Sequence, residues 1–268
     1  MPGRLGLVAC NGALPVEIVA AHPDAFVVGL AGIRHQLGKR AQEHRIEKIG
    51  GLFEALSAAR VTRLVFAGSL DRPAFDPSLF DTEMAAIAPR LAAAMQHGDD
   101  ALLGEVIAIF EERGFDVQGA HQVLPGLVAD PGLLAGREPG ERDLADAARG
   151  LDILNALSPV DVGQGCVVAG GQCLGVETVQ GTDFLLKYIR KTPDHLRRGA
   201  GGVFVKAAKA GQDLRIDMPA IGPRTVARVA GAGLGGMVIE AGRVMILDRD
   251  EVLEAVNDTG LFLMAVGG

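Results

Sequence analysis

Short apolar runs alternate with helix-like segments along the first half of this chain. The runs at residues 5–10, 25–30 and 63–67 are typical of buried strands. Helices are predicted at 14–21, 51–60, 82–96 and from Asp99 or Asp100 to Arg113. Parallel strands need crossover connections, which are usually helices, so this alternation predicts a parallel sheet. We expect an N-terminal Rossmann-like α/β domain over residues 1–130.

The second half has a different pattern. Residues 125–139 are rich in proline and glycine, which predicts a linker. Helices are predicted at 141–157, 183–190, 225–232 and 251–257, and strands at 165–169, 172–176, 203–207, 237–240 and 244–247. Gly170-Gly171 and Gly242 would turn two hairpins. These features predict a mixed α/β C-terminal domain over residues 138–268.

Composition narrows the function classes. A net charge of −7 argues against a dedicated nucleic-acid binder, which needs a basic surface. Cys10, Cys166 and Cys173 form no CxxC pair, and the first two are expected to pack as small hydrophobic residues. The chain shows neither a signal peptide nor an apolar run of the ~20 residues that a membrane helix needs. We expect a protein of the reducing cytoplasm.

One basic cluster comprises Arg190, Lys191, Arg197 and Arg198 with His195. A solvated face explains such a cluster. Contact with anionic lipid head groups is the alternative.

A charged run in the second half is the strongest candidate for chemistry. Asp213, Arg215 and Asp217 alternate with Leu214 and Ile216, which in a strand would place the three charges on one face. Two carboxylates on one face, with lysines upstream, could hold a divalent cation against a phosphate. A solvated edge strand in which Arg215 bridges the aspartates is the alternative. The constrained turn that follows favours a site.

Two loops that follow predicted strands are further candidates. The opening turn has only Gly6 and Gly12, so it lacks the dinucleotide fingerprint, yet its backbone N–H groups could still cradle a phosphate. The second loop carries Ser69, Asp71 and Arg72 beyond a strand's carboxyl end, where α/β proteins bind ligands. An ordinary turn with an Asp–Arg pair explains this loop equally well.

A third candidate spans the end of one strand and the start of a helix. Glu177 ends the strand, and Thr182 and Asp183 begin the helix, an arrangement that suits a metal or a sugar hydroxyl. Helix capping alone explains Thr182 and Asp183, but not Glu177. The six histidines show no spacing typical of a metal site.

Several blocks together resemble a known family. They are residues 6–15, 163–164, 176–183, Lys206 and 212–219. They are similar to the LpxI type of UDP-2,3-diacylglucosamine pyrophosphatase, an enzyme of lipid A biosynthesis, and the similarity spans almost the whole chain. The resemblance implies Mg²⁺-dependent hydrolysis of UDP-2,3-diacylglucosamine to UMP and 2,3-diacylglucosamine 1-phosphate. It also implies two domains that close around a lipid, a homodimer, and peripheral contact with the cytoplasmic face of the inner membrane.

Roles for individual residues follow from combining this resemblance with the chemistry of the candidates. Asp217 is the first candidate for binding metal or activating water, and Asp213 is the second. Asp183 is expected to be a further Mg²⁺ ligand. Lys206 and Lys209 would offset phosphate charge. The expected substrate-binding residues are Asn11, Gly12, Ala13, Leu14, Ser69, Asp71, Arg72, Gln164, Glu177, Gly181, Thr182, Lys206, Lys209, Gln212 and Arg215. A non-catalytic binder or carrier of a UDP-sugar lipid is the alternative function.

Overall fold

The computed structural model of the protein describes residues 3–70 and 75–267. In these residues the strands are β1 (Arg4–Ala9), β2 (Phe26–Leu30), β3 (Gln42–His44), β4 (Val61–Ala67), β5 (Asp116–Gln118), β6 (Gly132–Gly136), β7 (Gly165–Ala169), β8 (Gln172–Val176), β9 (Val203–Lys206), β10 (Ala220–Ile221), β11 (Gly236–Glu240), β12 (Met245–Ile246) and β13 (Phe262–Val266). The helices there are α1 (Leu14–Ala21), α2 (Ile49–Ala58), α3 (Thr82–Met95), α4 (Asp99–Glu112), α5 (Ala120–Val123), α6 (Glu141–Leu157), α7 (Thr182–Ile189), α8 (Pro223–Gly231) and α9 (Arg249–Thr259).

The chain forms two compact units. The first runs to Pro125 and also contains Asp213–Asp217, and the second contains Gly126–Gln212 and the chain from Met218 onward. The segment with both candidate catalytic aspartates is therefore part of the first unit by its contacts, although it follows most of the second in sequence. The domain boundaries at 130 and 138 stay a prediction, because compactness alone does not show which parts fold independently.

The first unit contains a parallel sheet of order β3-β2-β1-β4-β5, which confirms the predicted topology. The chain first moves outward from β1 through β2 and β3, and then returns to β4 on the other side of β1. This reversal makes the carboxyl ends of β1 and β4 a topological switch point, where open α/β sheets bind ligands. Asp81 supports the helical layer, because its carboxylate accepts from the N–H groups of Met84 and Gly50 and so joins the starts of α3 and α2.

The second unit contains a mixed sheet of order β6-β13-β11-β9-β7-β8, as predicted for this half. β9, β11 and β13 are parallel, whereas β6, β7 and β8 pair antiparallel with their neighbours. Alternate residues face two separate cores: Phe204 and Met237 lie in one, and Val205 and Val238 in the other. Because both faces are covered, the sheet's polar chemistry is confined to its edges and strand ends.

A buried carboxylate fixes the β7–β8 hairpin. Gly170 and Gly171 both have positive φ, +57° and +76°, as a two-residue hairpin turn requires. Asp146 of α6 is 3% exposed and accepts from both of their N–H groups, at 2.9 and 2.7 Å. This contact sets the position of β8, and hence of Glu177 just beyond its end.

Three kinds of prediction about local structure are wrong. The predicted linker contains β6, which adds to the sheet edge antiparallel to β13; the glycines at both ends of β6 are compatible with an edge position. No hairpin forms at Gly242, because β12 pairs in parallel with the short β10. The N-caps of α4 and α7 are Gly98 and Gly181, not the following acidic or hydroxyl residues.

None of the helices in the described part of the chain is long and apolar enough to cross a membrane. Cys10 and Cys166 are buried, as expected of small core residues. Burial raises the pKa of the Cys10 thiol to about 11, so this side chain stays a protonated core group at neutral pH.

Candidate active site

Three polar side chains meet where β8 and β9 end in the second unit. The Lys206 ammonium donates to Oγ1 of Thr182 at 2.7 Å and to Oε2 of Glu177 at 3.3 Å. The Thr182 hydroxyl in turn donates to Oε1 of Glu177 at 2.9 Å. Lys206 is only 5% exposed, so its buried positive charge needs a counter-ion, which the Glu177 carboxylate provides. We call these three residues the Lys206 cluster.

The fold explains why these residues converge. Lys206 is the last residue of β9 and pairs with Gly165, whose carbonyl accepts from the Glu177 N–H group at 2.7 Å. Thr182 opens α7. Capping was the sequence-based alternative for Thr182, but Gly181 occupies the N-cap position and the hydroxyl joins the cluster instead. The structure therefore brings together Glu177, Thr182 and Lys206 from three separate parts of the chain.

A second group of polar residues joins the chain just before β7 to the chain just after β9. The Gln164 amide donates to Oε1 of Gln212 at 2.9 Å, and the Lys209 N–H group donates to the same oxygen at 3.2 Å. The Lys209 ammonium forms an ion pair with Asp161. Gln212 is thus held in place just before the chain enters the segment that belongs to the first unit.

The predicted strand at residues 213–217 is wrong. The segment is a turn, in which the Asp213 carbonyl accepts from the N–H groups of Ile216 and Asp217 at 3.4 and 3.3 Å. Oδ1 of Asp213 also accepts from the Arg215 N–H group at 3.0 Å. An aspartate side chain that binds the backbone two residues ahead competes with a strand ladder, which explains the difference. The alternation of charges therefore does not produce one charged strand face.

Arg215 makes two ion pairs in the first unit. Its Nε and Nη2 bind the two oxygens of Asp213 at 2.9 and 2.7 Å, and Nη1 binds Oε1 of Glu111 at 2.7 Å. The hydrogen bonds from Arg215 hold the pKa of the Asp213 carboxyl below its ordinary value of 3.8. Glu111 was missed from the sequence, because nothing in its position near the end of α4 indicates a partner so far along the chain.

This ion pair predicts a pH-dependent contribution to stability. A lowered pKa in the folded state means that ionised Asp213 stabilises the fold above the ordinary pKa, and that this contribution is lost as the pH falls through the folded-state value. We expect Asp213→Asn to lower the urea midpoint at about pH 6, with the difference from wild type shrinking toward about pH 3. Urea unfolding at several pH values checks this. A difference that is constant with pH would contradict it.

Two of the three expected metal ligands make ion pairs in this structure, and the Mg²⁺ assignment stays a prediction. Both oxygens of Asp213 are bound by Arg215, and Asp183 of the second unit forms an ion pair with Arg224. Within residues 3–70 and 75–267, no group of three His, Cys, Asp or Glu side chains is placed to hold a metal ion. Asp217 is half-buried and belongs to the same turn as Asp213. Its proposed role in metal binding or water activation stays a prediction.

The opening turn of the first unit lies at its topological switch point. Asn11 follows β1 and Ser69 follows β4, and the two exchange backbone hydrogen bonds of 3.1 and 2.8 Å. Gly68 has a φ of +98°, and a Cβ at this position would lie 2.6 Å from the Asn11 carbonyl oxygen. The two predicted loops are thus hydrogen-bonded to each other at the carboxyl ends of β1 and β4, as expected. Asp71 and Arg72 lie outside the described residues.

A cleft of about 290 Å³ lies in the first unit beside this loop. It is lined by Leu30, Ala31, Gly32, Ile33, Arg45, Ile46, Glu47 and Leu70. Leu30 ends β2, so the cleft also lies at the carboxyl ends of the strands. Sequence reasoning missed it because most of its lining is apolar and carries no chemical pattern.

The comparisons identify the class of protein to which this fold and its polar clusters belong. Models of the LpxI N-terminal and C-terminal domains match residues 4–127 and 130–264. The chain belongs to the LpxI family. A relative from Caulobacter vibrioides, named UDP-2,3-diacylglucosamine pyrophosphatase LpxI, is 38% identical over 273 residues, covering 98% of this chain and 97% of that protein.

Proposed function

We propose that this protein hydrolyses the pyrophosphate of UDP-2,3-diacylglucosamine, releasing UMP and 2,3-diacylglucosamine 1-phosphate. The observation that carries the proposal is the 38% identity, over almost the full length of both chains, to a relative named for that substrate. Membership of the LpxI family in both halves supports it. The bond to be broken lies between two anionic phosphates, so catalysis requires charge neutralisation and a positioned water molecule.

Residues of both units have chemistry that suits this substrate. In the second unit, Lys206 is a buried cation whose position is fixed by Glu177 and Thr182, and it would offset phosphate charge. Lys209 would offset phosphate charge. In the first unit, the backbone N–H groups of the opening turn would contact the nucleotide or diphosphate, as in other strand–turn–helix phosphate sites. Asp217 would orient or deprotonate the attacking water.

Magnesium dependence is part of this proposal. Mg²⁺ prefers oxygen ligands and keeps several waters, so one carboxylate together with substrate phosphate oxygens is enough to bind it. Asp217 is the carboxylate we assign first to that role, with Asp213 and Asp183 as the further candidates. When bound, the ion would neutralise charge on the diphosphate.

Metal removal tests the proposal. We expect chelation by EDTA to lower UMP release from UDP-2,3-diacylglucosamine in detergent micelles by at least about a hundredfold, because the diphosphate charge is then left uncompensated. Added Mg²⁺ should restore the rate. Chromatographic detection of UMP and of the lipid phosphate checks both the bond and the metal.

Two outcomes of this experiment would contradict the proposal in different ways. If EDTA leaves UMP release unchanged, the proposed magnesium dependence is wrong, although the proposed hydrolysis still holds. Tight binding of the substrate without any release of UMP would favour the non-catalytic carrier. The homodimer and a location at the cytoplasmic face of the inner membrane stay predictions.

A further inference from the structure

Helix α7 of the second unit presents aromatic side chains to solvent. Leu185, Leu186 and Ile189 face the core, whereas Phe184 and Tyr188 are 62% and 67% exposed. Positions four apart lie on the same side of a helix, so the two rings form one exposed stripe. Large exposed aromatic side chains that share one face are typical of an interaction surface.

The stripe continues into a cleft of about 270 Å³ in the same unit. The cleft is lined by Gln172, Cys173, Leu174, Tyr188, Lys191, Thr192, Pro193 and Leu196. Leu196 is itself half exposed. Tyr188 and Leu196 thus form a continuous apolar surface. We call Phe184, Lys187, Tyr188, Lys191 and Leu196 the α7 face.

The charge around the α7 face is positive, although the chain as a whole is acidic. Between residues 184 and 198 the exposed cations are Lys187, Arg190, Lys191 and Arg198, and Asp194 is the carboxylate of that stretch. The Lys187 ammonium lies 6.0 Å from the centroid of the Phe184 ring. Basic side chains beside exposed aromatic rings suit a negatively charged, apolar partner.

One residue of the predicted basic cluster does not contribute to this surface. Arg197 is buried and donates to the carbonyls of Ile189 and Ala232 at 2.9 and 2.8 Å. Its guanidinium joins the end of α7 to the end of α8. Because Arg197 holds the end of α7 against α8, the exposed cations near it extend from a well-anchored backbone.

We propose that the α7 face docks on an anionic lipid bilayer. The inference rests on the proposed function, whose substrate carries two acyl chains that partition into lipid. Thr182 of the Lys206 cluster opens the same helix, so a bilayer bound along α7 would place lipid close to the candidate active site. A second copy of the chain fits less well, because a twofold-symmetric contact through this face would place the cations of one copy against the same cations of the other.

Vesicle binding without substrate tests this surface. Wild-type protein is expected to co-sediment with phosphatidylglycerol–phosphatidylethanolamine vesicles at low salt, and to bind pure phosphatidylcholine vesicles much more weakly. The Phe184→Gln Tyr188→Gln variant should bind the anionic vesicles at least about tenfold more weakly, since it loses both apolar anchors. Lys187→Gln Lys191→Gln should weaken binding by about fivefold for each cation removed.

Matched controls come from exposed residues of the same unit. Leu144→Gln Val160→Gln removes two exposed apolar side chains, and Arg142→Gln removes an exposed cation, so both should leave vesicle binding unchanged. A polarity-sensitive fluorophore on the exposed Cys173, in the cleft, should shift to shorter wavelength with anionic vesicles. This readout follows the wild-type surface directly and does not depend on how a variant folds.

The outcomes distinguish this inference from the proposed function. Equal binding by wild type and the Phe184→Gln Tyr188→Gln variant would overturn it, and so would binding that ignores lipid charge and salt. A dimer that becomes monomeric in this variant, with vesicle binding intact, would assign the face to a second copy. Hydrolysis in detergent micelles does not need the bilayer, so loss of that activity would count against the function alone.

Discussion

Replacement of Asp217 by asparagine is expected to lower kcat about a thousandfold, a size typical of a lost general base or metal ligand. The amide keeps the shape of the side chain but cannot take up a proton and is a weaker ligand for Mg²⁺. Substrate binding should change by less than about threefold, because the contribution of the carboxylate is made in the transition state. Measurement of kcat and KM for UMP release, with calorimetric binding of the substrate to the inactive variant, checks both parts.

Asp213→Asn is the matched control, since it makes the same chemical change four residues away. Both Asp213 oxygens bind Arg215, so this carboxylate already has a structural role. We expect less than about a tenfold loss of kcat, accompanied by the pH-dependent loss of stability described above. If Asp213→Asn abolished turnover and Asp217→Asn did not, the roles of the two aspartates would be reversed.

Much of the fold could be predicted because its signals are local. Helix α1 and helix α6 have the predicted bounds, and so do both strands of the β7–β8 hairpin. Apolar periodicity and turn glycines act over a few residues, so these elements depend little on the rest of the chain. The edge strand β6 was missed because its glycines and the flanking prolines have the composition of a loop, and its pairing with β13 is not visible locally.

The candidate site was predictable in its residue types but not in its contacts. Lys206 and Glu177 were selected separately, yet their ion pair depends on the register that places Lys206 opposite Gly165. The alternation at residues 213–217 predicted a strand, but the Asp213 side chain binds the following backbone and forms a turn instead. Asp146 was missed altogether, since a helical aspartate gives no sign that it holds a distant hairpin.

Removal of the Glu177 charge is expected to have the largest effect on stability among these residues. Glu177→Gln leaves the Lys206 ammonium buried without its counter-ion, which costs about 3 kcal/mol of the free energy of unfolding. Lys206→Met should cost a similar amount, because it leaves the carboxylate without its cation. Urea unfolding followed by circular dichroism measures both changes. Arg224→Gln, which removes an exposed partner of Asp183 in the same unit, should leave stability nearly unchanged.

The double variant separates stability from catalysis. If each single loss arises from an unpaired buried charge, Glu177→Gln Lys206→Met should recover most of the stability, so the two changes will not be additive. UMP release should stay low in the double variant, because it lacks the Lys206 cation that would offset phosphate charge. Additive losses of stability would mean that the two charges do not interact energetically. Full recovery of turnover with stability would limit the Lys206 cluster to a folding role.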